Sequence, residues 1–428
     1  MKKIFVLSSM LCAFSLQAQF SINIQTEPGF NEQEAILYTL NGSKDIVVTK
    51  EKSKNNVWTF KYPKSYSGMM KVYFPNTNNS VSFISENKNV SIKLETKANK
   101  VQNVIYLDEA NELMSSIQET SQKKELILPA LGQIKEYYKD DTDFGKALIS
   151  EIGKLSGTAG GVDQAKHPFV YFYNTNYNKF LSNDANKKVT QEEIVNFIDK
   201  SNDMLESSSL LRPILVSYLN VGGNTNVAQS VDALINKLNV ETPRGQTVLS
   251  ELIDIFDVYD MNDFKTKYLT LARNLKCTIN DRLASTLKSN AATDLGAVFP
   301  EYKFHSPVNT TAKTIADVKA DKKVIVFWSS TCSHCENELP KLLAKYKDLQ
   351  ANNIQIIGLS LDTDKNSYTT KIAAFPWIND SELRGWNSSF AEIYNIHATP
   401  TYFILDANNK IISKPNHVGD VLEYFKLK

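Results

Sequence analysis

The stretch Val324-Ile325-Val326-Phe327-Trp328-Ser329-Ser330-Thr331-Cys332-Ser333-His334-Cys335-Glu336-Asn337-Glu338-Leu339-Pro340-Lys341 runs from an apolar strand into a helix start through a C-x-x-C pair. Two thiols separated by two residues at a helix start can close into a disulfide and open again. The partial positive charge at a helix N-terminus favours a thiolate on the first of them, Cys332. A thiolate is the species that attacks a disulfide, so the stretch reads as redox chemistry. Zinc is the competing use of such a pair. It asks for about four ligands, and no second Cys pair or His pair at metal spacing exists in the sequence, so no metal is expected. A static staple is a third use, but so short a loop stabilises little.

Working outward, strands and helices alternate: strand 324–328, helix 332–349, strand 354–360, helix 366–373, a short helix around 388–394, strands 401–405 and 411–413, and a closing helix 417–427. Asp406 to Lys410 reads as the hairpin turn between the last two strands. Strands alternating with helices and finishing in a hairpin predict a mixed α/β sheet. Asn290 to Gly296 marks its boundary. Three further features agree with the pair. Trp328 ends the strand that delivers it. Pro340 sits inside the following helix, where proline is costly. Thr399-Pro400 precedes a strand, at a place where an X-Pro bond can be cis.

Upstream, the 428 residues exceed one ordinary core, and roughly two to four domains are expected. Hydrophobic residues at 42% and charged residues at 22% fit soluble globular domains. A formal net charge of +1 recommends neither nucleic acid nor a membrane surface as partner. Residues 1–18 read as a secretory signal: Lys2 and Lys3, an apolar core from Ile4 to Leu16, and small Ala18 before a cut at Gln19. Cys12 lacks the small neighbours of a lipoprotein site, and an uncleaved signal acting as an anchor is the lesser alternative. Removal of the signal leaves Cys277, Cys332 and Cys335, too few for a disulfide-stapled scaffold.

Residues 19–100 read as an antiparallel β-sandwich-like domain. Phe20–Ile24, Val57–Phe60, Met70–Phe74, Val81–Ile84 and Val90–Leu94 keep a period of two between Asn/Gly/Pro turn clusters such as Asn41-Gly42-Ser43. Residues 101–290 read as an α-helical region, with amphipathic periods over Glu109–Thr120, Glu125–Tyr138, Gln191–Leu205, Leu210–Leu219, Ala228–Leu238 and Thr247–Phe256. The aromatic run Phe169 to Tyr173 is expected in the core, and Cys277 as a buried helical residue.

Trp328, the C-x-x-C, Pro340, Thr399-Pro400 and the strand order together form the thioredoxin pattern. Residues 295–428 resemble the extracytoplasmic TlpA/ResA-type thiol–disulfide oxidoreductases. The lead-in Gly296 to Tyr302, the strand Lys322 to Trp328 and the strand Tyr402 to Asp406 look like that family's own. The gap from Cys335 to Pro400 leaves room for its central insertion. The whole layout looks like multidomain members common in Bacteroidetes.

The resemblance implies a thioredoxin-like α/β domain. It implies Cys332 as nucleophile, Cys335 as resolving thiol, and no cofactor beyond the redox-active Cys332–Cys335 disulfide. Glu338 matches a glutamate that sits near the thiols in the family and helps move protons; an ordinary helix-surface carboxylate is the alternative. Trp328, Thr399 and Pro400 are implied to line the substrate. His334, if protonated, would stabilise the Cys332 thiolate; a solvated turn residue is the equal alternative. The buried acid of cytoplasmic thioredoxins is replaced by Val326, and their second tryptophan by Thr331. His397 is expected on a surface loop near Pro400. Implied partners are protein disulfides or dithiols in the periplasm and an upstream membrane redox protein. The sequence sets neither the direction of electron flow nor the oligomeric state.

Two other functions compete. A peroxiredoxin-like peroxidase would place a proline and a threonine upstream of the reactive cysteine, where this chain has Ile325 and Ser329. A binding or chaperone-like protein would use the long N-terminal region to grip partners, with the thioredoxin module as accessory.

Overall fold

Alternation of apolar and polar side chains builds eight N-terminal strands: β1 (Phe20–Thr26), β2 (Glu34–Asn41), β3 (Lys44–Lys52), β4 (Val57–Tyr62), β5 (Ser67–Phe74), β6 (Asn79–Glu86), β7 (Val90–Lys97) and β8 (Lys100–Tyr106). They are seen in a computed structural model that describes residues 19–156, 161–182, 189–223 and 226–427; the stretch read as a signal, residues 1–18, lies outside these. Two four-stranded sheets, ordered β4-β1-β7-β8 and β3-β2-β5-β6, face each other. Between them Ile22, Ile24, Leu37, Trp58, Phe60, Val72, Phe74, Ile92 and Leu94 leave water together, which is the dominant stabilising term for such a sandwich. Pairing is antiparallel except between β1 and β7, which run parallel. The turn cluster at Asn41-Gly42-Ser43 joins β2 to β3 as a hairpin; these two and β8, which lies almost wholly within the span 101–290 read as helical, are the three strands the alternation had not singled out.

Among the described residues, five helices follow in the same compact unit, which ends at Thr225: α1 (Glu109–Lys135), α2 (Asp143–Ser156), α3 (Pro168–Phe180), α4 (Gln191–Lys200) and α5 (Leu211–Gly222). The two amphipathic stretches around 109–138 are one 27-residue helix that continues through Pro129. Its start is held at the sheet edge by Asn111, whose Nδ2 donates to the Ile84 carbonyl at 2.9 Å while its Oδ1 accepts from Ile84 N at 2.7 Å. The aromatic run is core where it begins, with Phe169 and Val170 fully buried; Tyr171, Phe172 and Tyr173 are only half-buried.

The second compact unit begins at Asn226, inside the span read as one helical region. Helices α6 (Val227–Leu238), α7 (Pro243–Val258), α8 (Asn262–Arg273) and α9 (Asp281–Ala292) therefore pack with the C-terminal domain. Helix α7 is central, with Val248, Leu249, Leu252, Ile253 and Phe256 buried. Its Glu251 and Asp254 hold the buried Arg282 guanidinium of α9 at 2.9 and 2.6 Å. Cys277 is not a buried helical residue: it lies half-buried between α8 and α9, accepting from Gln246 Nε2 at 3.3 Å.

The C-terminal domain runs β9 (Lys322–Trp328), α10 (Ser333–Ala344), α11 (Tyr346–Ala351), β10 (Ile354–Ser360), α12 (Lys365–Ile372), β11 (Ile378–Ser381), α13 (Ser389–Ile393), β12 (Thr401–Asp406), β13 (Ile411–Ser413) and α14 (Val418–Tyr424). The sheet order is β11-β10-β9-β12-β13, with β9, β10 and β11 parallel and the last two strands antiparallel. Central β9 is buried on both faces. Val324, Val326 and Trp328 meet α10, α11, α12 and α14, while Ile325 and Phe327 meet Phe299, Tyr302, Phe390 and Tyr394. A near-continuous apolar run is what a doubly covered parallel strand requires. The expected helix 332–349 is two helices, α10 and α11, broken at Lys345.

Candidate active site

Strand β9 ends at Trp328, and three polar residues carry the chain to Cys332, the N-cap of α10 in extended conformation. The Cys332 thiol donates to the Thr399 carbonyl at 3.1 Å, and its sulfur accepts from the Cys335 backbone N–H at 3.3 Å. The Thr399–Pro400 bond is cis. The sheet order explains the meeting: β9 and β12 are neighbours, so the loop leaving β9 and the loop entering β12 face each other at one end. Cys332 is half-buried and Cys335 buried, both as free thiols.

Environment pushes the two thiols in opposite directions. Burial alone would raise Cys332. Hydrogen bonds from the Cys335 and Thr399 side chains and from the backbone N–H groups of Cys335 and His334 outweigh it, and hold the thiol below its ordinary value. At Cys335 burial comes first and the adjoining Cys332 second, and the thiol is pushed up to about 12. One thiol is poised to ionise and the other is kept protonated. Paired groups with separated pKa values divide the labour of a reaction.

The expected site residues do not all gather there. Trp328 does not line a substrate surface. It is fully buried, edge-on to Phe375 with ring centroids 5.4 Å apart, as the last residue of β9 facing α10. His334 is exposed, and what reaches Cys332 from this residue is its backbone N–H. Thr331 is exposed, and His397 is half-buried rather than on the surface. Thr399 and Pro400 are half-buried beside the thiol.

Glu338 is held in place. Its Oε2 accepts from the Tyr402 hydroxyl at 2.9 Å and from Val418 N at 3.0 Å, and its Oε1 lies 3.3 Å from His417 Nδ1. Its side chain is 15% exposed, so it is not the freely solvated helix-surface carboxylate. Tyr402 is buried on β12 among Glu338, Cys335 and Cys332, and burial followed by the Glu338 charge pushes its phenol far up. Val326, where cytoplasmic thioredoxins keep an acid, is fully buried; here the carboxylate comes from α10 instead. Tyr402 and His417 were not among the expected site residues. Their role depends on β12 and α14 crossing α10, which no local spacing announces.

Residues 288–414 match the AhpC/TSA family. The thiol-disulfide oxidoreductase ResA of Bacillus cereus is 24% identical over 105 residues, which are 23% of this chain and 57% of that protein. The chain thus spans little more than half the length of this curated relative. Among solved structures, the thioredoxin domain of a thiol-disulfide oxidoreductase from Bacteroides vulgatus covers 31% of this chain and 97% of its own, with 23% identity and a TM-score of 0.28. A thioredoxin-like protein from Bacteroides caccae covers 57% of this chain and 96% of its own, with 13% identity and a TM-score of 0.36. The C-terminal part of the chain is a thioredoxin-like domain. Over this span it is similar to curated ResA thiol-disulfide oxidoreductases.

Proposed function

We propose that the protein is an extracytoplasmic thiol–disulfide oxidoreductase that reduces or exchanges disulfides of exported proteins through Cys332 and Cys335. The observation that carries this reading is the opposed pair: a half-buried Cys332 thiol held low at a helix start, beside a buried Cys335 thiol pushed up to about 12. The Cys332 thiolate attacks one sulfur of a substrate disulfide. A Cys332–substrate disulfide forms and the other substrate sulfur leaves as a thiolate that takes up a proton. Cys335 then loses its proton and attacks the Cys332 sulfur, closing the Cys332–Cys335 disulfide and releasing the second substrate thiol. Two electrons pass from the dithiol to the substrate.

Glu338, three residues after Cys335 on the same helix face, is the proton acceptor in the second step. The Thr399 backbone, 3.1 Å from the Cys332 sulfur through its carbonyl, offers an extended substrate strand-like hydrogen bonds. The basic and apolar start of the chain, residues 1–18, supports export to the periplasm, where a membrane redox protein would reset the pair.

Purified protein is expected to accelerate insulin reduction by dithiothreitol, and Cys332→Ala to abolish the acceleration. Alkylation of Cys332 should rise with pH through a midpoint below that of an ordinary cysteine, about 8.5, while Cys335 stays unreactive there. Wild-type activity no better than that of the Cys332→Ala variant would sink the reading; peroxide consumption by the wild type would revive the peroxidase.

A further inference from the structure

The loop that delivers the nucleophile consists of Ser329, Ser330 and Thr331, with no apolar side chain to anchor it. A short polar loop at the surface has many conformations open to it, yet the sulfur must stay within hydrogen-bond reach of two fixed groups. The anchor is a carboxylate from the neighbouring strand. Asp362, two residues beyond β10, is 3% exposed. Its Oδ1 accepts from Ser330 N at 2.9 Å, Ser330 Oγ at 2.7 Å and Ser329 Oγ at 2.9 Å, and its Oδ2 from Ser360 Oγ at 2.7 Å. Leu361 N donates to the Trp328 carbonyl at 2.8 Å, extending the β9–β10 pairing one step beyond the strands and bringing Asp362 under the loop.

The connection continues to the thiol. Thr331 N donates to Ser329 Oγ at 3.3 Å, and Cys332 N donates to the Ser329 carbonyl at 3.2 Å. Burying a carboxylate is costly unless its oxygens are fully bonded, and here four donors meet that requirement. All but one of them belong to the loop.

We propose that Asp362 is a positioning residue for Cys332: it clamps Ser329 and Ser330 so that the sulfur stays at the helix start, between the Cys335 N–H and the Thr399 carbonyl. The inference rests on Cys332 being the reactive thiol, and its test reads that thiol directly. Asp380 supplies a matched control. It is a second buried carboxylate on the same sheet, but it fastens a different loop, accepting from Tyr302 Oη at 2.8 Å, His305 N at 2.9 Å and Ser306 N at 2.7 Å. The titratable groups around Cys332 are Cys335 and His334 on α10 and Tyr402 on β12, with Glu338 behind Tyr402. The side-chain bonds of Asp362 go to serines and to Ser330 N, so substituting it leaves those groups in place.

The sign of the effect separates positioning from simple charge. Removing a nearby negative charge favours a thiolate and moves its titration to lower pH. Releasing the loop withdraws the donors that stabilise the thiolate and moves it to higher pH. The test is the pH dependence of iodoacetamide alkylation of the reduced full-length chain, with Cys332 followed by peptide mass. In Asp362→Asn the Cys332 midpoint should rise by about one unit, a tenfold loss of thiolate at a pH well below it. Ser330→Ala, which removes a donor at a half-buried position, should give a smaller rise. Asp380→Asn should lower the thermal midpoint and leave the Cys332 midpoint alone. A fall or no change in Asp362→Asn overturns the proposal, as does an equal rise in Asp380→Asn. If Asp362→Asn does not fold, an unchanged midpoint in folded Ser330→Ala overturns it. A wild type with a lowered Cys332 midpoint but no insulin reduction would sink the proposed activity and leave the assignment of Asp362 standing.

Discussion

The N-terminal β-sandwich and the C-terminal thioredoxin-like domain bury carboxylates in the same manner but to different ends. In the sandwich unit Glu32 Oε2 accepts from Asn76 N and Thr77 N at 2.8 and 3.1 Å, closing the turn after β5. Glu86 Oε1 accepts from Phe169 N and Val170 N at 2.8 and 3.2 Å, capping the start of α3, with His167 Nδ1 at 3.3 Å from its other oxygen. Each finishes a structural element. In the C-terminal domain Asp380 does the same for residues 305 and 306, but the loop fastened by Asp362 ends at the Cys332 thiol. The difference lies in where the fastened loop leads. In the second unit the loop sits at the carboxyl ends of parallel β9 and β10, where open α/β sheets place their chemistry. The sandwich has no thiol there or anywhere else among its strands.

The largest effect expected from this comparison is on stability alone. Glu86→Ala removes the acceptor for two buried N–H groups and for the buried His167 ring, at a cost of about 3 kcal/mol. Urea unfolding should show that loss in the N-terminal unit, while the alkylation midpoint of Cys332 stays where it was. A shifted midpoint would break the separation between fastening a fold and fastening a nucleophile.

Gly358 provides a substitution beneath the site itself. A Cβ added there would lie 2.9 Å from Asn379 Oδ1, 3.1 Å from Trp328 Nε1 and 3.2 Å from Trp377 Nε1, all on buried side chains. Gly358→Ala should cost about 2 kcal/mol through overpacking and shift the tryptophan emission. Because Trp328 is the last residue of β9, the Cys332 midpoint should move with it. A stability loss with a fixed midpoint would show that the loop takes its geometry from Asp362 and not from the core below.

These substitutions also mark what was legible in the sequence. The C-x-x-C at a helix start and the strand–helix alternation are local patterns, and the structure carries both; Thr399-Pro400 marked only a place where a cis bond can form, and the packed structure makes it cis. Strand β11, Ile378-Asn379-Asp380-Ser381, passed unnoticed because polar residues fill a buried strand. They are bonded there, with Asp380 fastening residues 305 and 306 and Ser381 Oγ donating to the Ser360 carbonyl at 2.9 Å. Helix α1 looked like two because the polar stretch Ser121-Gln122-Lys123-Lys124 interrupts the apolar period, while the backbone continues through it and through Pro129. The resemblance implied that Trp328 lines the substrate, yet strand alternation points it into the core. Asp362, Tyr402 and His417 act across neighbouring elements, so their importance appears only when those elements are packed together.

The smallest effect should fall on the second chemical step. Glu338 is fixed by Tyr402 and Val418 N at one oxygen, leaving the other toward His417, whose side chain is 68% exposed. Glu338→Gln keeps the size and an acceptor oxygen but cannot take up a proton. Release of the mixed disulfide by Cys335 should therefore slow by about tenfold. That is less than general acid–base groups commonly supply. The step can be followed by quenching with acid after mixing the reduced protein with a disulfide peptide and measuring the trapped Cys332–peptide adduct. Tyr402→Phe, which removes one donor and leaves the carboxylate, should slow it less. Asp362→Asn should instead depress the first step, formation of the adduct. If Glu338→Gln slows adduct formation and leaves its resolution untouched, Glu338 serves Cys332 rather than Cys335, and Glu338 and Asp362 share one task instead of dividing two.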